Sequence, residues 1–116
     1  MFKDSGEKAV VYRDLHPSEV KKILDNNNGT RLIDVREEWE YRIAHIENSE
    51  QMPMSNFMRH LEQLNTEDEI IFYCHTGARS ANICRFLAGK GFKNLINLKG
   101  GIDAWSNEID QSIPRY

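Results

Sequence analysis

The stretch Cys74-His75-Thr76-Gly77-Ala78-Arg79-Ser80 combines residue types and a spacing suited to nucleophilic chemistry. It follows the apolar run Ile70-Ile71-Phe72-Tyr73, which reads as a buried strand, and it leads into a helical pattern. In open α/β sheets, ligands bind beyond the carboxyl ends of the strands. Loop amides and a helix N-terminus placed there converge on one concavity that favours an anion. A thiol in that concavity is expected to ionise below its free value of about 8.5. Arg79 carries a permanent charge and can clamp an oxyanion at two points. Gly77 permits close backbone approach or positive φ. Ser80 can cap the helix or hydrogen-bond the thiolate. His75 either adds positive charge for a dianionic donor or is a solvated loop side chain. Thr76 and Ala78 complete the loop. The plainer alternative is a buried, inert cysteine with an exposed arginine nearby. Gly77, Arg79 and Ser80 together, between a strand and a helix, favour the chemistry.

The surrounding elements must present this loop. Ala9-Val10-Val11-Tyr12 suits a first strand. Pro17 suits a first helical turn, with Val20, Ile23 and Leu24 at helical spacing behind it. Asn26-Asn27-Asn28-Gly29 should stop that helix, Gly29 supplying a left-handed cap. Leu32, Ile33 and Val35 mark a second buried strand, and Glu37 to Arg42 a short helical patch. Ile43 to Met54 is irregular, with weak strand character before Pro53. Ser55 to Leu64 reads as a helix carrying Phe57, Met58, Leu61 and Leu64. Glu69 to Cys74 is the clearest strand. A helix through Ala81, Ile83, Cys84, Phe86, Leu87 and Ala88 follows and stops at Gly89. Asn94 to Leu98 is the last strand, and Gly100-Gly101 turns the chain into a short helix containing Trp105. Strand and helix in alternation predict a three-layer, doubly wound α/β domain with a mostly parallel five-stranded sheet. Residues 1–8 read as a polar, frayed N-terminal segment and residues 9–116 as the domain.

Composition narrows the function classes. A chain of 116 residues fits one domain, and 40% hydrophobic with 28% charged residues is ordinary for a globular protein. The net charge of -3 argues against a nucleic-acid partner. Mean hydropathy is -0.63, and no apolar run approaches the roughly 20 residues of a membrane span. Met1 to Gly6 lacks the apolar core of a secretory signal. Two cysteines make no disulfide framework, so a free thiol in a reducing, cytoplasmic compartment is expected.

Other polar residues have ordinary accounts. Asp34 and Arg36 end a strand at the same sheet edge as Cys74 and could shape the site. The alternative is an ion-pair network, for example Arg36 with Glu40 at helical spacing. His45 reads as structural, Cys84 as a small core residue, Trp39 and Trp105 as packing residues, and the acids from Glu62 to Glu69 as a solvated face. A structural zinc site would need close cysteine pairs, which are absent.

Four motifs in register then carry a resemblance. Leu32-Ile33-Asp34-Val35-Arg36 with Glu37 and Glu40-Tyr41, Ala44-His45-Ile46, Tyr73 to Ser80, and Gly91 to Leu95 followed by Leu98-Lys99-Gly100-Gly101 through Trp105 resemble the signatures of the single-domain rhodaneses, a family of sulfurtransferases. The resemblance covers Val10 to the C-terminus. It implies a rhodanese-like fold and a catalytic Cys74. It also implies a persulfide formed by sulfur transfer from a small donor anion such as thiosulfate or polysulfide, and passed to a thiol or a protein acceptor. No metal or organic cofactor is implied, and no nucleic acid or membrane. In that family, a six-residue loop, here Cys74 to Arg79, serves sulfurtransferases, whereas one more residue serves phosphatases and arsenate reductases of the same fold. A catalytically idle binding module remains the alternative in another class; intact Cys74 and Arg79 argue against it. The chain departs from the family after Ile46, where Glu47-Asn48-Ser49-Glu50-Gln51 replaces a Pro-Gly-Ala segment and its apolar strand; a charged, irregular edge strand is expected there.

Overall fold

The computed structural model describes residues 12–26 and 29–116. The expected polar segment over 1–8 and the strand residues Ala9 to Val11 lie outside these. Five strands, β1 (Arg13–Leu15), β2 (Arg31–Asp34), β3 (Glu50–Gln51), β4 (Glu69–Tyr73) and β5 (Asn94–Leu98), form one sheet in the order β1-β5-β4-β2-β3. Every pairing is parallel. The helices are α1 (Pro17–Asp25), α2 (Glu38–Ile43), α3 (Ala78–Ala88) and α4 (Gly101–Glu108).

Both faces of the sheet are covered, as parallel sheets require. β4 shows the alternation: Ile70, Phe72 and the following Cys74 join one cluster with Ile83, Cys84 and Leu87 of α3 and with Phe57. Ile71 and Tyr73 join the other, with Val20 of α1 and Ile102 and Trp105 of α4. β2 and β4 are adjacent, yet the chain leaves β2 towards β3 and leaves β4 towards β5. The strand order therefore reverses between β2 and β4, where a crevice opens at their carboxyl ends. Asp34 to Arg36 and Cys74 to Arg79 emerge on either side of it.

Several expectations need correction. The first strand lies at Arg13–Leu15, and Tyr12 is not part of it; its register against Ile96 to Leu98 is fixed by the parallel partner β5. Gly29 is left-handed (φ +88°), but α1 ends on the right-handed Asn26, so Gly29 turns the chain into β2 and does not cap the helix. The predicted helix over Ser55 to Leu64 is a 3-10 segment, Met54–Gln63, broken at Asn56. Trp39 is 61% exposed and lies outside the core, packing edge-on against the Tyr116 ring with centroids 6.3 Å apart.

The polar third strand does form, as two residues on the sheet edge. Arg31 grips the Glu50 carboxylate through Nε (3.0 Å) and Nη2 (2.8 Å), and Gln51 donates to the Arg36 carbonyl. Charge thus replaces apolar packing on a strand that need bury only one edge. No helix among the described residues is long and apolar enough to cross a membrane.

Candidate active site

Cys74 is 1% exposed and lies at the carboxyl end of β4. Its Sγ receives the Gly77 amide at 3.1 Å and the Ser80 amide at 3.4 Å. Gly77 reaches that geometry at φ +107°, a conformation that favours glycine, and it is the N-cap of α3. Ser80 Oγ also lies 3.4 Å from Sγ. A hydroxyl has one proton to give. Asn97 Oδ1 is the nearest acceptor for it, in a very short contact. Ser80 therefore supports the thiol with its amide, and its side chain ties α3 to β5. The amides of Thr76, Ala78 and Arg79 have no protein acceptor among the described residues, so the loop keeps donors for an incoming anion.

Asn97 was not anticipated. It sits in the apolar run Asn94 to Leu98, is 3% exposed, and donates through Nδ2 to Asp14 and to the Gly77 carbonyl. A polar residue inside an otherwise apolar strand was the signal. Gly101 holds the loop from the other side. The amides of Ile102 and Asp103 donate to the carbonyls of Cys74 (2.9 Å) and His75 (3.1 Å). A side chain at Gly101, where φ is +64°, would overlap both carbonyls.

Asp34 and Arg36 are fully buried and paired with each other, not with Glu40. Arg36 Nε and Nη2 lie 3.0 and 2.6 Å from the Asp34 oxygens, Nη2 also donates to the Ala44 carbonyl, and Nη1 donates to the Tyr116 hydroxyl at 2.7 Å. Two residues along an extended chain point to the same side, which explains why Asp34 wins over Glu40.

Glu40 instead takes Arg79. Arg79 Nη1 and Nη2 donate to its two oxygens at 2.8 and 2.9 Å, and the Glu37 amide and Tyr116 hydroxyl add two more bonds. The two-point fork expected to meet a substrate oxyanion is therefore engaged by a carboxylate that is 4% exposed. His75 stacks on Tyr116 with ring centroids 4.1 Å apart.

The Arg79 guanidinium is the main reason the Glu40 carboxyl is held down to about 2 from its ordinary 4.5. A carboxylate depressed in the folded state stabilises the fold above its unfolded value, and that stability is lost as pH falls through the folded value. Between pH 4.5 and 2 the wild type should lose about 3 kcal/mol through this group alone. Urea unfolding across that range, compared with Glu40→Gln, tests it; parallel pH curves for the two proteins would refute the linkage.

His45 is held by its own neighbourhood, with Nδ1 3.0 Å from the Tyr41 carbonyl and its ring stacked on Tyr41. Cys84 is fully buried in α3, and burial pushes its thiol up to about 12. Among the described residues no group of three or more His, Cys, Asp or Glu is placed to hold a metal ion.

A cysteine-bearing loop at the switch point of a five-stranded parallel sheet is the arrangement of the rhodanese-like domain. The chain belongs to that family, whose model, "Rhodanese-like domain", matches residues 16–108. Among its relatives is "Putative sulfur carrier protein YrkF" of Bacillus subtilis, 31% identical over 106 residues, covering 91% of this chain and 57% of that one. Another is "Thiosulfate sulfurtransferase GlpE" of Actinobacillus pleuropneumoniae, 27% identical over 95 residues, covering 82% of this chain and 87% of that one. A crystal structure of a rhodanese-like domain protein from Staphylococcus aureus superimposes with a TM-score of 0.77 at 25% identity, covering 90% of this chain and 98% of that one. The chain spans just over half the length of YrkF and 29% of another curated relative. It is a member of a sulfurtransferase family with the matching α/β fold.

Proposed function

We propose that this protein transfers sulfane sulfur through a persulfide on Cys74. The observation that carries the reading is the pair of amides, Gly77 and Ser80, directed at the Cys74 sulfur, together with unsatisfied loop amides beside it. In the first half-reaction the thiolate attacks the outer sulfur of a donor such as thiosulfate or polysulfide. A new S–S bond forms, the donor's S–S bond breaks, and its electron pair leaves with sulfite or a shortened polysulfide. The loop amides stabilise the negative charge that remains on the persulfide. In the second half-reaction an acceptor thiolate attacks the terminal sulfur and the Cys74 thiolate is regenerated. The acceptor is a small thiol or a protein thiol. Asp34 and Arg36 support the site by fixing the strand end and, through the Ala44 carbonyl, the C-terminal end of α2. Two buried cysteines free of disulfide fit a reducing, cytoplasmic setting.

Intact-protein mass spectrometry after incubation with donor is the direct test. One added sulfur, mapped to Cys74, is the expected result; an unmodified protein with every donor would leave an idle binding module as the better reading. Thiol reactivity gives a second expectation. Cys84 is buried and hard to ionise, whereas Cys74 faces loop amides. Iodoacetamide at neutral pH should label Cys74 at least about tenfold faster than Cys84. Equal labelling of both thiols in the folded protein would contradict the proposed nucleophile.

A further inference from the structure

We infer that Tyr116 is a positioning residue for donor binding: its ring holds His75 of the Cys74 loop in place while leaving the imidazole nitrogens free for the anionic end of the donor. This rests on the sulfur-transfer reading above and adds a residue that serves it. The chain beyond α4 folds back onto the loop. Ser106 Oγ donates to the Ile113 carbonyl, Ile113 is buried, and Arg115 grips the Asp103 carboxylate through Nε (2.9 Å) and Nη2 (3.0 Å). Tyr116 is thereby brought against the loop. Its hydroxyl accepts from Arg36 Nη1 at 2.7 Å and donates to Glu40 Oε2 at 2.8 Å. The Asp34–Arg36 and Glu40–Arg79 pairs thus hold one phenol between them. Tyr116 lies beyond the stretch 16–108 that the family model matches, so this hold is a feature of the chain itself.

The His75 ring lies on that phenol, with centroids 4.1 Å apart and planes 15° from parallel. A face contact orients an imidazole without using its nitrogens, which sit on the ring edge. Among the described residues neither nitrogen of His75 has a hydrogen-bond partner. The backbone is held as well, the His75 carbonyl receiving the Asp103 amide at 3.1 Å. His75 is therefore an ordered, half-buried group one residue from the nucleophile, and not a freely solvated side chain. A neutral imidazole carries one N–H and its cation two, so either form offers a donor beside Cys74. Arg79 spends two of its five N–H groups on Glu40 and keeps the others. Tyr116 links these two anion-binding groups, His75 through the stack and Arg79 through Glu40. Without the ring, His75 regains its rotamers, and the donor must order the side chain as it binds, which weakens binding. Tyr116 touches no reacting atom in this scheme; it acts through His75.

The experiment measures KM and kcat for thiosulfate and for inorganic polysulfide in wild type, Tyr116→Leu, Tyr116→Phe, His75→Ala and the double variant Tyr116→Leu, His75→Ala. Tyr116→Leu should raise the donor KM about 5- to 10-fold, the size of one aromatic contact, and leave kcat within about twofold of wild type. Tyr116→Phe keeps the stack and loses both hydroxyl bonds; its KM should stay within about twofold of wild type. His75→Ala should raise KM by at least about 5-fold, and adding Tyr116→Leu to it should cost less than about twofold more, because the two residues act as one unit. A purely structural tyrosine would give additive losses. Additive losses in the double variant overturn the inference. So does a Tyr116→Phe whose KM rises about 5-fold or more, or a His75→Ala with the KM of wild type; these two results decide even if Tyr116→Leu does not fold. If neither donor adds sulfur to Cys74 of the wild type, the sulfur-transfer reading itself fails and the inference with it, an outcome that mass spectrometry reports apart from any change in KM.

Discussion

Replacing Cys74 by serine should abolish sulfur transfer, with turnover falling at least ~10³-fold. A serine hydroxyl is barely ionised at neutral pH and forms no persulfide. The substitution is otherwise mild. Serine is slightly smaller, and its oxygen can accept the Gly77 and Ser80 amides that now reach the sulfur. Folding stability should therefore change by no more than about 1 kcal/mol, within the range of ordinary substitutions. The combination of intact fold and lost chemistry is the informative result. Mass spectrometry should show no added sulfur in Cys74→Ser, while Cys84→Ser, altered inside α3 and away from the loop amides, should still gain one. Sulfur transfer that survives in Cys74→Ser would remove the nucleophile from the scheme. Transfer lost in Cys84→Ser, with the fold intact, would move it to the other thiol.

The second large effect concerns stability. Asp34→Ala should destabilise the domain by about 3–5 kcal/mol, because it leaves Arg36 charged and without its carboxylate in a site with no solvent exposure. For a protein of ordinary marginal stability this is a large share of the total. The double variant Asp34→Ala, Arg36→Met should recover much of the loss, since the uncompensated charge goes with the arginine. The recovery will be partial, because Arg36 also bonds the Ala44 carbonyl and the Tyr116 hydroxyl. Urea unfolding of wild type, single and double variants measures the coupling. A single variant within about 1 kcal/mol of wild type would show that the pair contributes little.

Local signals carried most of the fold into the sequence. The run Ile70 to Tyr73 is apolar on both faces and therefore readable as a central parallel strand, and the cysteine, glycine and helical pattern behind it are contiguous. The same holds for Leu32 and Ile33 and for Pro17 at the head of α1. Elements set by distant partners were harder to read. The first strand is defined by hydrogen bonding to β5, on the far side of the sequence, and its own residues are mostly polar. The 3-10 segment carries apolar residues at helical spacing, yet Asn56 leaves helical geometry at φ -134° and breaks the turn. Spacing alone does not separate the two helix types when few turns are involved.

The candidate site divides in the same way. Cys74, Gly77 and Ser80 act on one another within a single loop, so composition and spacing announce them. The Glu40–Arg79 pair joins residues 39 positions apart, and the Arg36–Tyr116 bond joins residues 80 apart. Apart from its place in the family signature, nothing local distinguishes Glu40 from Glu38, the other acid of α2. Its neighbour Arg36 offered an apparent partner at helical spacing, and only the buried geometry assigns that arginine to Asp34.

The contact between the start of α4 and the loop has a consequence for how such a loop can change its length. Two of its carbonyls, those of Cys74 and His75, are seated on the amides of Ile102 and Asp103, against a position with no room for a side chain. The inner end of the loop is therefore cast against a fixed mould 27 residues away along the chain, the separation of Cys74 from Gly101. An inserted residue has no place there. It can be absorbed only on the open side, at Thr76 or Ala78, where both residues face solvent. Widening of the anion cradle is thus channelled outward, while the cysteine and its strand stay where the mould holds them.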